Sequence, residues 1–204
     1  MSSAMEGCGV TFDQIIDTTR RCAAWLRDDG IGFVLAGSVA AWARGGPAVC
    51  SDLDFVVRPD DVQRALDLLA ANGLRPERPP EGWLLKAHDG EVLVDLISEL
   101  NGVALEDCFA AATTLSVMSV DMTVMSVDDI LTTKLLSFEE HYIDFAGLLP
   151  IARALREQAD WEAVRARTRH SAIAAGFFTM AERLGIAPGA AAARDVSRIR
   201  VSSA

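Results

Sequence analysis

Gly37-Ser38, followed thirteen positions later by Ser51-Asp52-Leu53-Asp54, couples a tight glycine turn to a pair of carboxylates. Leu53 and Phe55 alternate with Asp52 and Asp54, so in a strand of period two both carboxylates share one face and the apolar pair the other. Two hard oxygen donors on one face suit Mg²⁺, which keeps open positions for waters and substrate phosphates. Residues 32–36 read as a short buried strand leading into the turn, where Gly37 lets the chain fold back and Ser38 is expected to cap the next helix. A phosphate fits there, and the spacing points to metal-assisted phosphoryl chemistry. A third carboxylate, Asp95, interrupts the apolar run Val92-Leu93-Val94-Asp95-Leu96-Ile97, where burial is costly without a partner or a cation. If its strand lies beside that of Asp52 and Asp54, the three acids can hold two divalent ions and help deprotonate an attacking hydroxyl. The plainer alternative is an aspartate at a strand end or paired with a basic side chain.

The elements that must position these groups are legible from periodicity. Thr11 and Gln14 form a capping-box pattern, and Ile15, Ile16, Cys22, Ala23 and Leu26 supply the apolar stripe of a helix ending near Gly30. A helix from Ser38 to about Arg44 stops at Gly45-Gly46-Pro47, and a strand is expected over 53–57. Pro59 suits a first helical position, with Asp60 and Asp61 on the positive end of the helix dipole and a stripe of Val62, Ala65, Leu66 and Leu69. Pro76, Pro79 and Pro80 mark a loop, after which strands over 83–87 and 91–97 flank the hairpin signal Asp89-Gly90. Residues 105–124 contain a short helix and one or two β-rich pieces of undetermined order. From the cap pattern Ser126-Val127-Asp128-Asp129 to about Leu184 the signal is helical, with Pro150 expected to start or kink a helix. The fold class is therefore α+β: a mixed sheet with flanking helices over 1–125, then a helical bundle over 126–204 with a poorly ordered tail from Pro188 onward.

The 204 residues are half hydrophobic, enough for a sizeable core. The longest uncharged apolar stretch, 33–43, is too short to span a bilayer, and 1–9 carries Glu6 without a basic region, unlike a secretory signal. A cytoplasmic protein without membrane contact is expected. Cys8, Cys22, Cys50 and Cys108 lack a Cys-x-x-Cys pair and read as reduced structural thiols, not zinc ligands. The net charge of −10 is uneven: residues 1–133 hold 9 basic against 21 acidic side chains, residues 134–204 hold 10 against 8. Arg165, Arg167, Arg169 and His170, with Arg194, Arg198 and Arg200, are candidates to track a phosphate backbone, a solvated helix face being the plainer alternative. Lys86 and His88, beside the hairpin turn, could touch phosphate but read first as ordinary polar turn residues, and His141 lacks a metal-ligand spacing. Trp25, Trp42, Trp83 and Trp161 read as core or interface anchors, Trp83 being near the acidic strands.

Taken together, Gly37-Ser38, Asp52-Leu53-Asp54 and Asp95 resemble the three-part signature of the DNA-polymerase-beta-like nucleotidyltransferases, over the first half of the chain. That family usually carries a basic or small polar residue shortly before the double acid; Ser51 fits, while Ala48-Val49-Cys50 offers no arginine. In the helical half, Leu131-Thr132-Thr133-Lys134-Leu135-Leu136 and Asp144-Phe145-Ala146-Gly147-Leu148-Leu149 look like the lysine and aspartate motifs of AbiEii and MenT toxin nucleotidyltransferases. The resemblance implies a catalytic set of Asp52, Asp54, Asp95 and Lys134, with the three aspartates binding two Mg²⁺ ions. It implies a nucleoside triphosphate held by Gly37, Ser38, Lys134 and Asp144. It further implies transfer of a nucleoside monophosphate, a pyrimidine one, to the 3′ end of tRNA, blocking aminoacylation until a cognate antitoxin intervenes. Taken singly, Lys134 is a solvated helix lysine and Asp144 a helix-start residue. Two other readings stand beside this one. The chain modifies a small hydroxylated compound such as an aminoglycoside, a cation that the acidic first half attracts. Or it is a non-catalytic nucleotide-binding module, whose mark, a broken acid triad, is missing from this sequence.

Overall fold

The computed structural model describes residues 10–48 and 52–189. Cys8, Cys50, Ser51, the arginines at 194, 198 and 200, and most of the segment expected to be poorly ordered lie outside the described residues. The first helix, α1 (Phe12–Asp28), opens on the expected reciprocal capping box of Thr11 and Gln14 and buries Ile15, Ile16, Cys22, Ala23 and Leu26. There follow β1 (Phe33–Leu35), α2 (Gly37–Ala43), β2 (Leu53–Val57) and α3 (Pro59–Ala71), which begins at Pro59.

The next strands are β3 (Arg75–Glu77), β4 (Leu84–Asp89) and β5 (Val92–Ile97). The segment containing Pro76 is thus a strand, not only a loop; β3 lies at the sheet edge, where a proline's missing N–H is tolerated. Residues 105–124 resolve into α4 (Leu105–Ala111), β6 (Thr113–Val117) and β7 (Val120–Val124), the last two joined at Met118 and Ser119, both at positive φ.

Among the described residues the sheet has seven strands in the order β3-β4-β5-β2-β1-β7-β6, with β2 parallel to β5 and β1 parallel to β7. The carboxylate of Asp89, at the hairpin between β4 and β5, accepts from Thr18 and Arg21 and so fastens that hairpin to α1. The remaining elements are α5 (Val127–Leu136), α6 (Phe145–Leu155), α7 (Trp161–Thr168) and α8 (Ala172–Arg183). Pro150 sits inside α6 on an exposed position, not at its start.

One hydrophobic cluster runs from the sheet, with Leu35, Leu53, Phe55 and Leu96, into the helices through Ile130, Leu135, Leu148 and Phe177. Polar ties reinforce the junction. The N–H of Met125 donates to the carbonyl of Leu35 at 2.9 Å, and the Arg44 guanidinium at the end of α2 donates to the carbonyls of Val124 and Met125. Cys22 and Cys108 are buried, and burial pushes both thiols up to about 12, as suits inert structural cysteines. No helix among the described residues is long and apolar enough to cross a membrane.

Candidate active site

Neighbouring strands fix the site through their register. Asp54 of β2 is paired with Asp95 of β5, Asp95 with Lys86 of β4, and Lys86 with Glu77 of β3. Residues in register project from the same face of a sheet, so one charged row crosses four strands: Glu77, Lys86, Asp95, Asp54. Leu53 and Phe55, one position away from Asp54, are fully buried on the opposite face. The strand carrying Asp95 thus lies beside the strand of the double acid, the arrangement on which the triad expectation depended.

At the inner end of this row the chain leaves β1 through Ala36 and enters α2 at Gly37. Gly37 has φ +62, and a Cβ there would stand 1.8 Å from Oδ2 of Asp54. Glycine is thus required twice, by backbone conformation and by the carboxylate lying against it. Ser38 is not the helix cap that was expected: the cap is Ala36, without a side-chain hydrogen bond, and Ser38 lies within the first turn. Its buried Oγ instead accepts from Nζ of Lys134, at 3.2 Å, across the contact between α2 and α5. Lys134 and the Gly37-Ser38 turn are therefore together, from opposite halves of the sequence.

Electrostatics at Asp54 reflect this crowding. Its carboxyl is pushed up to about 7, first by burial and then by the charge of Asp95; Lys134 opposes the shift, Asp52 adds to it and Lys86 opposes it. Asp95 is also raised, by burial above all, against the hydrogen bond and charge of Lys86. Asp52 is exposed at the start of β2, and its charge acts on both other aspartates. As the side chains stand, no three His, Cys, Asp or Glu groups among the described residues form a ready-made metal cage. The donor set nevertheless fits a hard divalent cation: Asp54 and Asp95 are both raised, the negative charge of Asp52 adds to each shift, and an oxygen-seeking ion relieves that repulsion.

Asp144 accepts from the N–H of Gly147 at 2.8 Å and caps α6. It is exposed, and the structure gives it this capping bond rather than one to Lys134. Lys86, ranked from the sequence as an ordinary turn residue, has a role that sequence reasoning missed. Its Nζ donates to Oδ1 of Asp95 at 2.9 Å, and both side chains are largely buried. The signal was available in the hairpin register: Asp89 pairs with Val92 around Gly90-Glu91, and counting back along both strands brings 86 opposite 95. A cavity of about 370 Å³ opens beside Asp95, walled by Trp83, Leu84, Ile97 and Leu100, with Glu99, Asn101, Thr133 and Ser137 at its polar side. Trp83 is 42 % exposed and so no core anchor; its carbonyl accepts from both the N–H and the hydroxyl of Ser98, which fixes it at the cavity mouth.

The arginine cluster of the helical half is largely committed elsewhere. Arg167 pairs with the buried Asp129, and Arg165 pairs with Glu182 at 2.8 Å and lies over the ring of Phe178.

No protein-family model and no curated protein sequence matches the chain. Solved structures do. ANT(2″)-Ia in complex with adenylyl-2″-tobramycin superposes with a TM-score of 0.60 at 12% identity, over 76% of this chain and 98% of that one. An antigenic nucleotidyltransferase-like protein from Paracoccidioides brasiliensis gives 0.55 at 14% identity, over 78% and 87%. The lincosamide antibiotic adenylyltransferase LnuA, lincomycin-bound, gives 0.50 at 12% identity, over 78% and 99%. With its mixed sheet, glycine turn and following helices, the chain has the fold of the nucleotidyltransferases.

Proposed function

We propose that this protein is a divalent-metal-dependent nucleotidyltransferase, moving a nucleoside monophosphate from a nucleoside triphosphate to an acceptor hydroxyl. The observation that carries this reading is the register of Asp54 with Asp95 beside the Gly37 turn, with Lys134 reaching Ser38 from α5. Asp52, Asp54 and Asp95 are the residues that would hold Mg²⁺, which when bound polarises phosphoryl oxygens and offsets their charge. Ser38 and the turn backbone contact the terminal phosphates, and Lys134 neutralises the departing pyrophosphate. The acceptor oxygen attacks the α-phosphorus, the bond from that phosphorus to the bridging oxygen breaks, and the hydroxyl proton passes to Asp95 at the wall of the cavity. No covalent enzyme intermediate is needed.

The acceptor that we infer is a small hydroxylated amine. The cavity beside Asp95, about 370 Å³, is of small-molecule size, with an aromatic wall at Trp83 and a carboxylate at Glu99 for a cation. Adenylyl-2″-tobramycin and lincomycin in the two antibiotic-modifying structures support the same class of acceptor. The second reading is a toxin that modifies the 3′ end of tRNA under the control of an antitoxin. It draws on the contact of Lys134 with Ser38, and loses the support of Arg165 and Arg167, which are ion-paired within the helices. Incubation with Mg²⁺ and each α-labelled nucleoside triphosphate, with tobramycin, lincomycin or total tRNA, separates these readings. Label on a small compound, abolished in Asp54→Asn, is expected; label on tRNA alone supports the toxin. Absence of transfer together with absence of metal-dependent nucleotide binding overturns the enzyme and leaves a non-catalytic module.

A further inference from the structure

Of the charged row, nucleotidyl transfer as derived above uses neither Glu77 nor Lys86. Lys86 stands in register between two carboxylates, Glu77 on β3 and Asp95 on β5. Its ammonium is on Asp95 at 2.9 Å, with only 21% of the lysine side chain and 13% of the aspartate side chain exposed. A buried ion pair is weak evidence for stability, because desolvating both partners consumes most of the attraction. A strand position with a carboxylate on either side favours a cation, and it also offers that cation a second partner within reach of the first. Glu77 binds Nε2 of His88 through Oε2, at 2.6 Å, which leaves its other oxygen for Lys86.

We propose that Lys86 is a positioning residue, the exchangeable counter-ion of Asp95: it holds that carboxylate in line with Asp54 before a divalent ion arrives, yields it to the ion, and moves its ammonium to Glu77. The inference rests on reading Asp54 and Asp95 as metal-binding. It assigns a role to the outer half of the row and explains why Asp95 tolerates burial in an apolar strand before any ion is bound. An entering cation must displace an ammonium, so metal uptake by the free protein is weakened by the pair. Once the ion is in place the same carboxylate is already oriented.

The test uses the full chain without nucleotide, titrated with Mn²⁺ and followed by electron paramagnetic resonance, with steady-state transfer measured in parallel. Lys86→Gln removes the charge while keeping a hydrogen bond to Asp95; it is expected to bind Mn²⁺ about tenfold tighter and to lower kcat about tenfold with KM for the nucleotide unchanged. Lys86→Arg restores wild-type behaviour in both respects. Glu77→Gln, at the exposed edge strand, takes away the second resting place and weakens Mn²⁺ binding severalfold. A folded Lys86→Gln protein whose Mn²⁺ affinity equals or falls below that of the wild type overturns the proposal, a fall in Tm alone being the mark of a structural pair. Should Lys86→Gln not fold, Glu77→Gln decides: weakened binding supports the exchange and unchanged binding overturns it. A wild-type protein that takes up no Mn²⁺ overturns the reading of the aspartates themselves, an outcome distinct from normal wild-type uptake that is indifferent to Lys86.

Discussion

Asp129 on α5 and Asp95 on β5 are both buried, at 1% and 9% exposure, yet their surroundings differ in kind. Asp129 belongs to a helix junction: Arg167 of α7 pairs with it, and the adjacent Asp128 accepts from the N–H of Asp160 at 2.8 Å. Asp95 faces a lysine on one side and a second, unfavourably crowded carboxylate on the other, with Asp52 adding more negative charge. In the helical half Arg167 answers Asp129 and Arg165 answers Glu182, and both pairs join one helix to another. The site on the sheet gathers Asp52, Asp54 and Asp95 against two lysines, Lys86 of β4 and Lys134 of α5. Perturbed carboxylates gathered in this way are the mark of a candidate functional site, and this is what supports the proposed role of the three aspartates.

That contrast breaks most sharply at Asp54. Asp54→Asn should lower nucleotidyl transfer about a thousandfold, several kcal/mol of lost transition-state stabilisation, while leaving the fold intact by circular dichroism. Arg167→Met should do the opposite. Stripping the counter-ion from buried Asp129 costs about 3 kcal/mol in denaturant unfolding, the lower end for such pairs because Arg167 is 38% exposed, with kcat of the folded enzyme preserved. Gly37→Ala brings a Cβ into the Asp54 carboxylate at positive φ, so it should cost about 2 kcal/mol, lower Tm by several degrees and depress activity as well.

A smaller effect follows from pH. Because the Asp54 carboxyl is raised to about 7, protons compete with metal, and Mn²⁺ affinity should fall up to about tenfold per unit below that pH. In the metal-free protein the sign for stability is the reverse. Folded Asp54 holds its proton more tightly than the unfolded chain does, so its contribution is fully present below about pH 4 and is lost as pH rises towards about 7. Asp54→Asn should therefore be more stable than the wild type at pH 8 without metal, the gap closing on acidification. The smallest expected change is at Lys134: Lys134→Ala should lower kcat severalfold, with less effect on KM for the triphosphate.

Much of the inner site was legible because strand periodicity and turn chemistry are local. Alternation in 53–57 put Asp54 opposite Leu53 and Phe55, and the isolated acid in an apolar run singled out Asp95. The pairing of β2 with β5 is non-local, and the sequence offered it only as a condition. Lys86 escaped because a lysine beside a turn looks solvated until the hairpin register, set at Gly90-Glu91 and not at Asp89-Gly90, brings it opposite Asp95. Ser38 looked like a cap because serine usually is one before a helix; the tight turn at Gly37 moves the cap back to Ala36 and frees the hydroxyl for Lys134. Asp144 illustrates the converse, a motif residue whose visible work is to cap α6. The strand at Arg75–Glu77 was hidden by prolines that an edge position accommodates.

The central claim is that Asp54 and Asp95, brought together by strand pairing, take up a divalent ion for nucleotide transfer. Calorimetric titration of the wild type and Asp54→Asn with Mg²⁺ at pH 8, in the presence of a non-hydrolysable nucleoside triphosphate, tests it most directly. Saturable Mg²⁺ uptake by the wild type and its loss in a folded variant is the predicted result; equal uptake by both proteins, or none by either, contradicts it.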